Sequence, residues 1–309
     1  MDLEWNQSPY GKENGNKLIP FEIIEIGAVK LDEELNIVDT FSSLVYPVVY
    51  NELHYIIKDL TGFTMKKLKK GKPFTEVASN FMKWCGDDYI FCTWGSLDVT
   101  ELQRNLSYYR LPLPKAPVYY YDLQKIFNLI YDNGDKSTRS LEYAVNHLKL
   151  EKNNAFHRAL DDAKYAACVM QCMDISILRK YFSVDYYQSP AKRSQEIHLV
   201  FDNYSKFVSK EFETKNDAIK DRVVSSTICY KCGKKARKKI RWFSDNAKLY
   251  YCLSLCPEHG LLKGKIRMKK SVNDKYFVVK TLKLTDETGA SKIKQRQLDI
   301  RAKRKKKMS

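Results

Sequence analysis

The sequence predicts a mixed α/β layer domain followed by a small cysteine-rich β module. Three observations predict it. Strand-like runs come early and then alternate with helix-period segments to about residue 182, as in an α/β layer structure. Four cysteines and a histidine (Cys229, Cys232, Cys252, Cys256 and His259) gather beyond residue 225. The net charge of +17 is not evenly shared: residues 221–309 hold 26 basic and 7 acidic side chains, a net of +19, leaving 28 basic and 30 acidic, a net of −2, for residues 1–220.

The elements follow in order. Residues 21–31 and 36–49 are rich in β-branched and apolar residues and read as strands, the second ended by Pro47. A helix over 52–60 breaks at Thr61-Gly62. Phe74, Val77, Phe81 and Trp84 recur at helical spacing over 74–85. Tyr89 to Cys92 is a short buried strand, 98–109 a helix, and 111–117 a loop with three prolines. Val118 to Tyr121 reads as a strand, with Asp122 as cap of the next helix. Ser140-Leu141-Glu142 opens another helix, and 159–177 is a long one. The expected organisation is a domain over 1–182, a partly helical linker over 183–224, the β module over 225–285 and a disordered basic tail over 286–309.

Composition narrows the function. With 44% apolar and 29% charged residues the chain is not globally disordered. No run approaches the ~18 consecutive apolar residues of a membrane span. The start, Met1-Asp2-Leu3-Glu4, is acidic and without a leader, so the expected location is cytoplasmic. A near-neutral domain joined to a basic one fits a polyanion partner, most often nucleic acid; the plainer alternative is a solubilising tail.

Three stretches carry carboxylates suited to chemistry. Asp2 and Glu4 are two apart, so on a strand they share a face, where a cation would relieve their repulsion; alone they also fit a pair of solvated acids. Asp98 lies just past the strand 89–92, in a place typical of active-site residues, though alone it reads first as a helix N-terminal acid favoured by the dipole. His157 and Asp162 are five apart, about 140° around a helix, so they cannot share a helical face. The histidine belongs in the preceding loop and the acid in the first turns, an arrangement also open to a capping cluster.

Taken in order, D-x-E, an acid after a strand and H-x4-D before an alanine-rich helix resemble the DEDDh exonuclease superfamily, with its ribonuclease H-like fold. Glu25-Ile26-Gly27-Ala28-Val29 resembles the second strand of that superfamily, and Leu60-Thr61-Gly62-Phe63-Thr64 one of its helix ends. Trp94-Gly95-Ser96-Leu97-Asp98 is similar to the second motif of the subgroup holding the ERI-1-like RNA exonucleases and the exonuclease-like inhibitors of the sporulation kinase pathway. The resemblance covers roughly residues 1–180. It implies a mixed sheet flanked by helices and a two-metal 3′→5′ exonuclease acting on RNA or single-stranded nucleic acid 3′ ends. Asp2, Glu4, Asp98 and Asp162 would hold two Mg²⁺ or Mn²⁺ ions, and His157 would serve as general base, releasing nucleoside 5′-monophosphates. The resemblance also implies apolar residues ahead of the first motif, so a recorded start that is too late is the expectation. Asn6 to Gly11 would line the cleft, with Trp5 and Tyr10 as candidate base-stacking rings or ordinary loop and core aromatics.

Cys229-x-x-Cys232-Gly233 and Cys256-x-x-His259-Gly260 are two knuckles that supply four ligands for one structural Zn²⁺. This resembles a zinc ribbon, with Cys252 left as strand core. Lysines and arginines surround the knuckles beside aromatics, suiting phosphates and stacked bases, or an acidic protein partner. Arg301 to Lys307 adds six cations in seven residues. Two alternatives to an RNA exonuclease stand at this point: a proofreading-type single-stranded DNA exonuclease, and a regulatory binding protein on the same fold.

Overall fold

The computed structural model describes residues 1–132, 138–153, 155–178 and 180–306. It divides into two units, Met1–Tyr186 and Tyr187–Ser309.

The first unit opens with an antiparallel sheet in the order β1-β2-β3, made of β1 (Asp2–Asn6), β2 (Glu22–Leu31) and β3 (Ile37–Leu44). β2 is buried continuously from Glu22 to Ala28, which is why its sequence runs apolar instead of alternating. Three helices follow: α1 (Tyr55–Thr61), α2 (Met65–Leu68) and α3 (Phe74–Cys85). Gly62, at φ 64°, ends α1 in the left-handed conformation that glycine adopts without strain. Phe74, Val77 and Phe81 are the buried stripe of α3, at the spacing read from sequence.

A second sheet follows through a helical crossover. β4 (Phe91–Thr93) leads into α4 (Leu97–Tyr108) and returns as β5 (Tyr119–Asp122), parallel to β4. Then come α5 (Leu123–Tyr131), α6 (Leu141–His147), α7 (Ala159–Gln171), α8 (Ile175–Leu178) and β6 (Ser183–Val184), the last antiparallel to β5. Asp122 caps α5 by accepting the Lys125 N–H at 3.0 Å, and Ser140 caps α6 by accepting that of Tyr143 at 3.1 Å. The helix expected over 159–177 is broken: α7 stops at Gln171, and Asp174 accepts the Ser176 N–H at 2.7 Å to start a new turn. Leu3, Ile26, Phe81, Phe91, Val99 and Leu102 form one apolar cluster of this unit; Leu123, Phe127, Val145, Ala166 and Val169 form another, between α5, α6 and α7.

The second unit is built on a six-stranded antiparallel sheet. Its elements are β7 (Ile197–Val200), β8 (Ser205–Val208), α9 (Lys215–Lys220), α10 (Arg222–Ser225), β9 (Arg237–Ser244), β10 (Leu249–Cys256), β11 (Gly260–Lys270), β12 (Tyr276–Leu284) and α11 (Glu287–Lys305). The sheet order is β7-β8-β12-β11-β10-β9. Two readings from sequence need correction. Residues 183–224, expected to be a linker, supply β7, β8, α9 and α10; β8 pairs with β12 at Val208↔Val279, a partner far down the chain. The tail over 286–309, expected to be disordered, is helical from Glu287 to Lys305. Asp286 accepts the Gly289 N–H at 2.7 Å as its cap, and Ala, Lys, Arg and Gln favour helix. Lys307, counted among the tail cations, lies outside the described residues.

Candidate active site

β1 carries Asp2 and Glu4 on either side of Leu3, which is buried in the core. Leu3 also donates its N–H to Asp98 Oδ1 at 3.1 Å, tying β1 to the first turn of α4. Asp2 lies opposite Gly27 on β2, and that glycine sets the third side of the site. A Cβ on Gly27 would stand 2.1 Å from the Ala159 carbonyl carbon, so only glycine lets the start of α7 come so close to β2.

The same stretch is clamped from below. Glu25, 1% exposed, accepts from Arg158 Nη2 at 2.6 Å, from Arg158 Nε at 3.2 Å and from the Ala159 N–H at 3.1 Å. This fork-to-fork pair holds the loop that bears His157 and the turn that bears Asp162. His157 is exposed, at φ 68°, and its N–H donates to Asp162 Oδ2 at 2.9 Å.

These elements bring Asp2, Glu4, Asp98, His157 and Asp162 into one cavity of about 460 Å³, together with Trp5, Trp94, Ser96, Leu97 and Gln124. Glu4, His157 and Asp162 offer ligand atoms all within 4.8 Å of one another. Burial raises the Asp2 carboxyl well above its usual range, helped by the charges of Asp98, Glu4 and Asp162. Burial also pushes Glu4 up to about 8, with Asp162, Glu25 and Asp98 adding and Arg158 opposing. Asp98 rises to about 6 through burial, against the Met1 ammonium. Asp162 rises to about 6 for the same first reason, against the His157 N–H.

The residues fit a hard cation. Asp162 Oδ1 is buried and has no hydrogen-bond partner. Four carboxylates held above their ordinary range by burial, two of them (Asp2 and Glu4) also by the charges of the others, would be relieved by divalent ions with oxygen preference. Trp5 lines this cavity as expected; Tyr10 does not, and instead lines a separate cleft with Ser8, Asn16 and Glu52. Gln124 and the Glu25–Arg158 clamp are not among the residues that the sequence singles out. The sequence did carry a signal for the clamp, since Glu22 and Glu25 are acids inside an otherwise apolar buried strand.

In the second unit Cys229, Cys232, Cys256 and His259 offer ligand atoms within 4.8 Å of one another. Their ligand atoms lie 3.6 Å apart for Cys232–Cys256, 3.8 Å for Cys229–His259 and 3.9 Å for Cys256–His259. A tetrahedron with Zn–S bonds of about 2.3 Å has edges of about 3.8 Å. Both knuckles close on a left-handed glycine, Gly233 at φ 70° and Gly260 at φ 78°. Cys256 sits where burial opposes ionisation, yet the backbone N–H groups of Glu258 and His259 and the side chains of His259 and Cys232 lower its thiol to about 6. Cys252 is buried in β10 against Gly264 and stands outside the cluster.

Acids from β1, α4 and α7 thus converge on one cavity, with a loop histidine beside them. A family model described as "Exonuclease" (RNase_T) matches residues 14–170, just over half of the chain. The chain belongs to this exonuclease family. Asp2 and Glu4 precede the matched stretch, so their assignment rests on the cavity geometry. The probable 3′-5′ exonuclease KapD of Bacillus subtilis (strain 168) is 29% identical over 167 residues, 53% of this chain and 77% of that protein. The PolC-type DNA polymerase III of Streptococcus mutans serotype c (strain ATCC 700610 / UA159) is 28% identical over 122 residues, 38% of this chain and 8% of the polymerase. Among solved structures, the nuclease domain of 3′hExo bound to rAMP aligns with TM-score 0.48 and 22% identity, over 60% of this chain and 93% of that one. A full-length 3′-exonuclease aligns with TM-score 0.47 and 24% identity, over 55% and 77%. No helix among the described residues is long and apolar enough to cross a membrane.

Proposed function

We propose that the chain removes nucleotides one at a time from RNA 3′ ends, releasing nucleoside 5′-monophosphates. The observation that carries this reading is the cavity that gathers all five expected residues, with one Asp162 oxygen buried and unpartnered. Asp2, Glu4, Asp98 and Asp162 would hold two Mg²⁺ or Mn²⁺ ions, which would supply charge stabilisation at the scissile phosphate and a lowered pKa for the attacking water.

The chain supplies the rest. Leu3 and Asp98 fix the strand against α4, and the Glu25–Arg158 clamp fixes the start of α7. His157, in a loop and exposed, takes the proton of the attacking water on its imidazole. Trp5, Trp94 and Leu97 give the terminal nucleotide apolar walls. RNA is preferred on the Trp94 to Asp98 motif. The likeness to a PolC-type polymerase favours the second reading, a single-stranded DNA exonuclease. Cys229, Cys232, Cys256 and His259 would hold one structural Zn²⁺, and the basic second unit would hold the nucleic acid.

The test is digestion of end-labelled RNA and single-stranded DNA of one sequence with Mn²⁺. Stepwise shortening from the 3′ end, faster on RNA, is expected. Asp162→Asn should be at least about 100-fold slower, and His157→Gln slower by about 10²–10⁴. Faster DNA digestion selects the second reading, and no shortening of either substrate overturns both.

A further inference from the structure

β9 is an edge strand of the six-stranded sheet, and its pairing with β10 slips register twice. Such bulges turn side chains outward and interrupt the edge. Residues 229–241, which enclose the first knuckle and most of β9, hold seven cations and no acid. Lys238, Lys239 and Arg241 are all exposed. α11 packs across β11 and β10 and reaches the β9 edge through a few side chains. Ala290 and Ile293 pack on Leu253 with Ile240 and Phe243, Arg296 pairs with Asp245 at 2.8 Å, and Arg304 donates to the Ser244 carbonyl at 3.1 Å. α11 carries seven further cations against two acids, with Lys294, Arg301 and Lys303 exposed. Lysines on a strand edge by themselves guard against edge-to-edge association. The helix cations do not sit on an edge, so that explanation leaves half of the charge unused.

The rings of this unit point elsewhere. Among its described residues no Trp, Tyr or Phe is exposed: Trp242 donates to the Ser225 carbonyl and packs toward Gly264, and Tyr251 lies under the Arg296 guanidinium at 4.6 Å. Single-strand binders gain affinity and tolerance from bases stacked on such rings. A cationic surface without them is left with phosphates, and a double helix presents twice the phosphate density of a single strand.

We propose that the β9 edge and α11 form one cationic rim that grips the phosphate backbone of double-stranded nucleic acid, without reading bases. The choice of a nucleic-acid partner rests on the exonuclease reading; the choice of a duplex rests on this surface.

The test uses the full-length chain and blunt duplexes of RNA and of DNA with phosphorothioate 3′ linkages, beside single strands of the same sequence. Binding should favour a duplex over its single strand by at least about tenfold, and weaken with salt at about 0.9 log units per phosphate contact. The two duplex arms report which nucleic acid it is, and tighter binding of either duplex supports the rim. Lys238→Gln/Lys239→Gln/Arg241→Gln and Lys294→Gln/Arg301→Gln/Lys303→Gln should each lose at least tenfold in duplex affinity with a shallower salt slope. Equal affinity for single strands, unmoved affinity in both variants, or equal competition by polyglutamate overturns it. Turnover of thymidine 5′-p-nitrophenyl phosphate, which has no backbone to grip, should be the same in both variants and wild type. That readout separates failure of the rim from failure of the exonuclease reading.

Discussion

Gly27 shows how much of the site depends on one missing methyl group. Its Cα hydrogen faces the backbone of Ala159 and Leu160, and a Cβ would overlap both at 2.1 Å. Gly27→Ala should push the first turn of α7 away from β2 and carry Asp162 and His157 with it. We expect a loss of about 1–3 kcal/mol in stability from overpacking. Turnover should fall by roughly 100-fold, since misplacement by an ångström is enough. Thermal melts and RNA digestion check both; full activity would separate Gly27 from the site. The carboxylates give a second residue-scale expectation. Glu4 near 8 and Asp98 and Asp162 near 6 are raised above their unfolded values. Without divalent ions the folded protein therefore keeps protons that the unfolded chain releases, and stability is lost as pH rises from about 4 through about 8. The melting temperature of protein dialysed free of Mg²⁺ and Mn²⁺ should fall across that window. Added Mg²⁺ should flatten the decline, and Glu4→Gln should make it shallower. A melting temperature that rises over the same range would contradict the site as described.

At the scale of elements, the two knuckles should be the most metal-sensitive part of the chain. One knuckle precedes β9 and the other is the turn between β10 and β11, so a shared Zn²⁺ would pin three strands at one end. Cys229→Ser should abolish zinc binding measured by metal analysis and lower the melting transition of the second unit, leaving that of the first in place. Unchanged zinc content would place the metal elsewhere. Which elements were legible in sequence follows from their physics. α3 announced itself through Phe74, Val77 and Phe81, and the helices begun by Asp122 and Ser140 through their caps. β7 and β8 did not, because each has four residues and a partner remote in sequence. α11 did not either, because only Ala290 and Ile293 are buried and the rest reads by composition as solvated tail. The five site residues were legible as types at spacings. Glu25 stood out as an acid in an apolar strand, but its pairing with Arg158 needed the fold, since the two are 133 positions apart.

For the whole molecule, the charge segregation counted in the sequence corresponds to a division of labour between units. The near-neutral unit gathers acids around a cavity, and the basic unit displays cations on an edge strand and a helix. The exonuclease family match lies within the first unit; it ends at residue 170 and does not extend to the second. The pairing of β8 with β12 has a kinetic side. Val208 and Val279 are 279−208=71 positions apart, and the knuckles, β9, β10 and β11 all lie between them. Non-local closure of this kind is slow. During synthesis β7 and β8 emerge first and wait, with an open ladder edge, until the last strand of the sheet leaves the ribosome. For that interval the nascent chain offers its neighbours a docking strand, and the speed of elongation through residues 209–284 sets how long the exposure lasts.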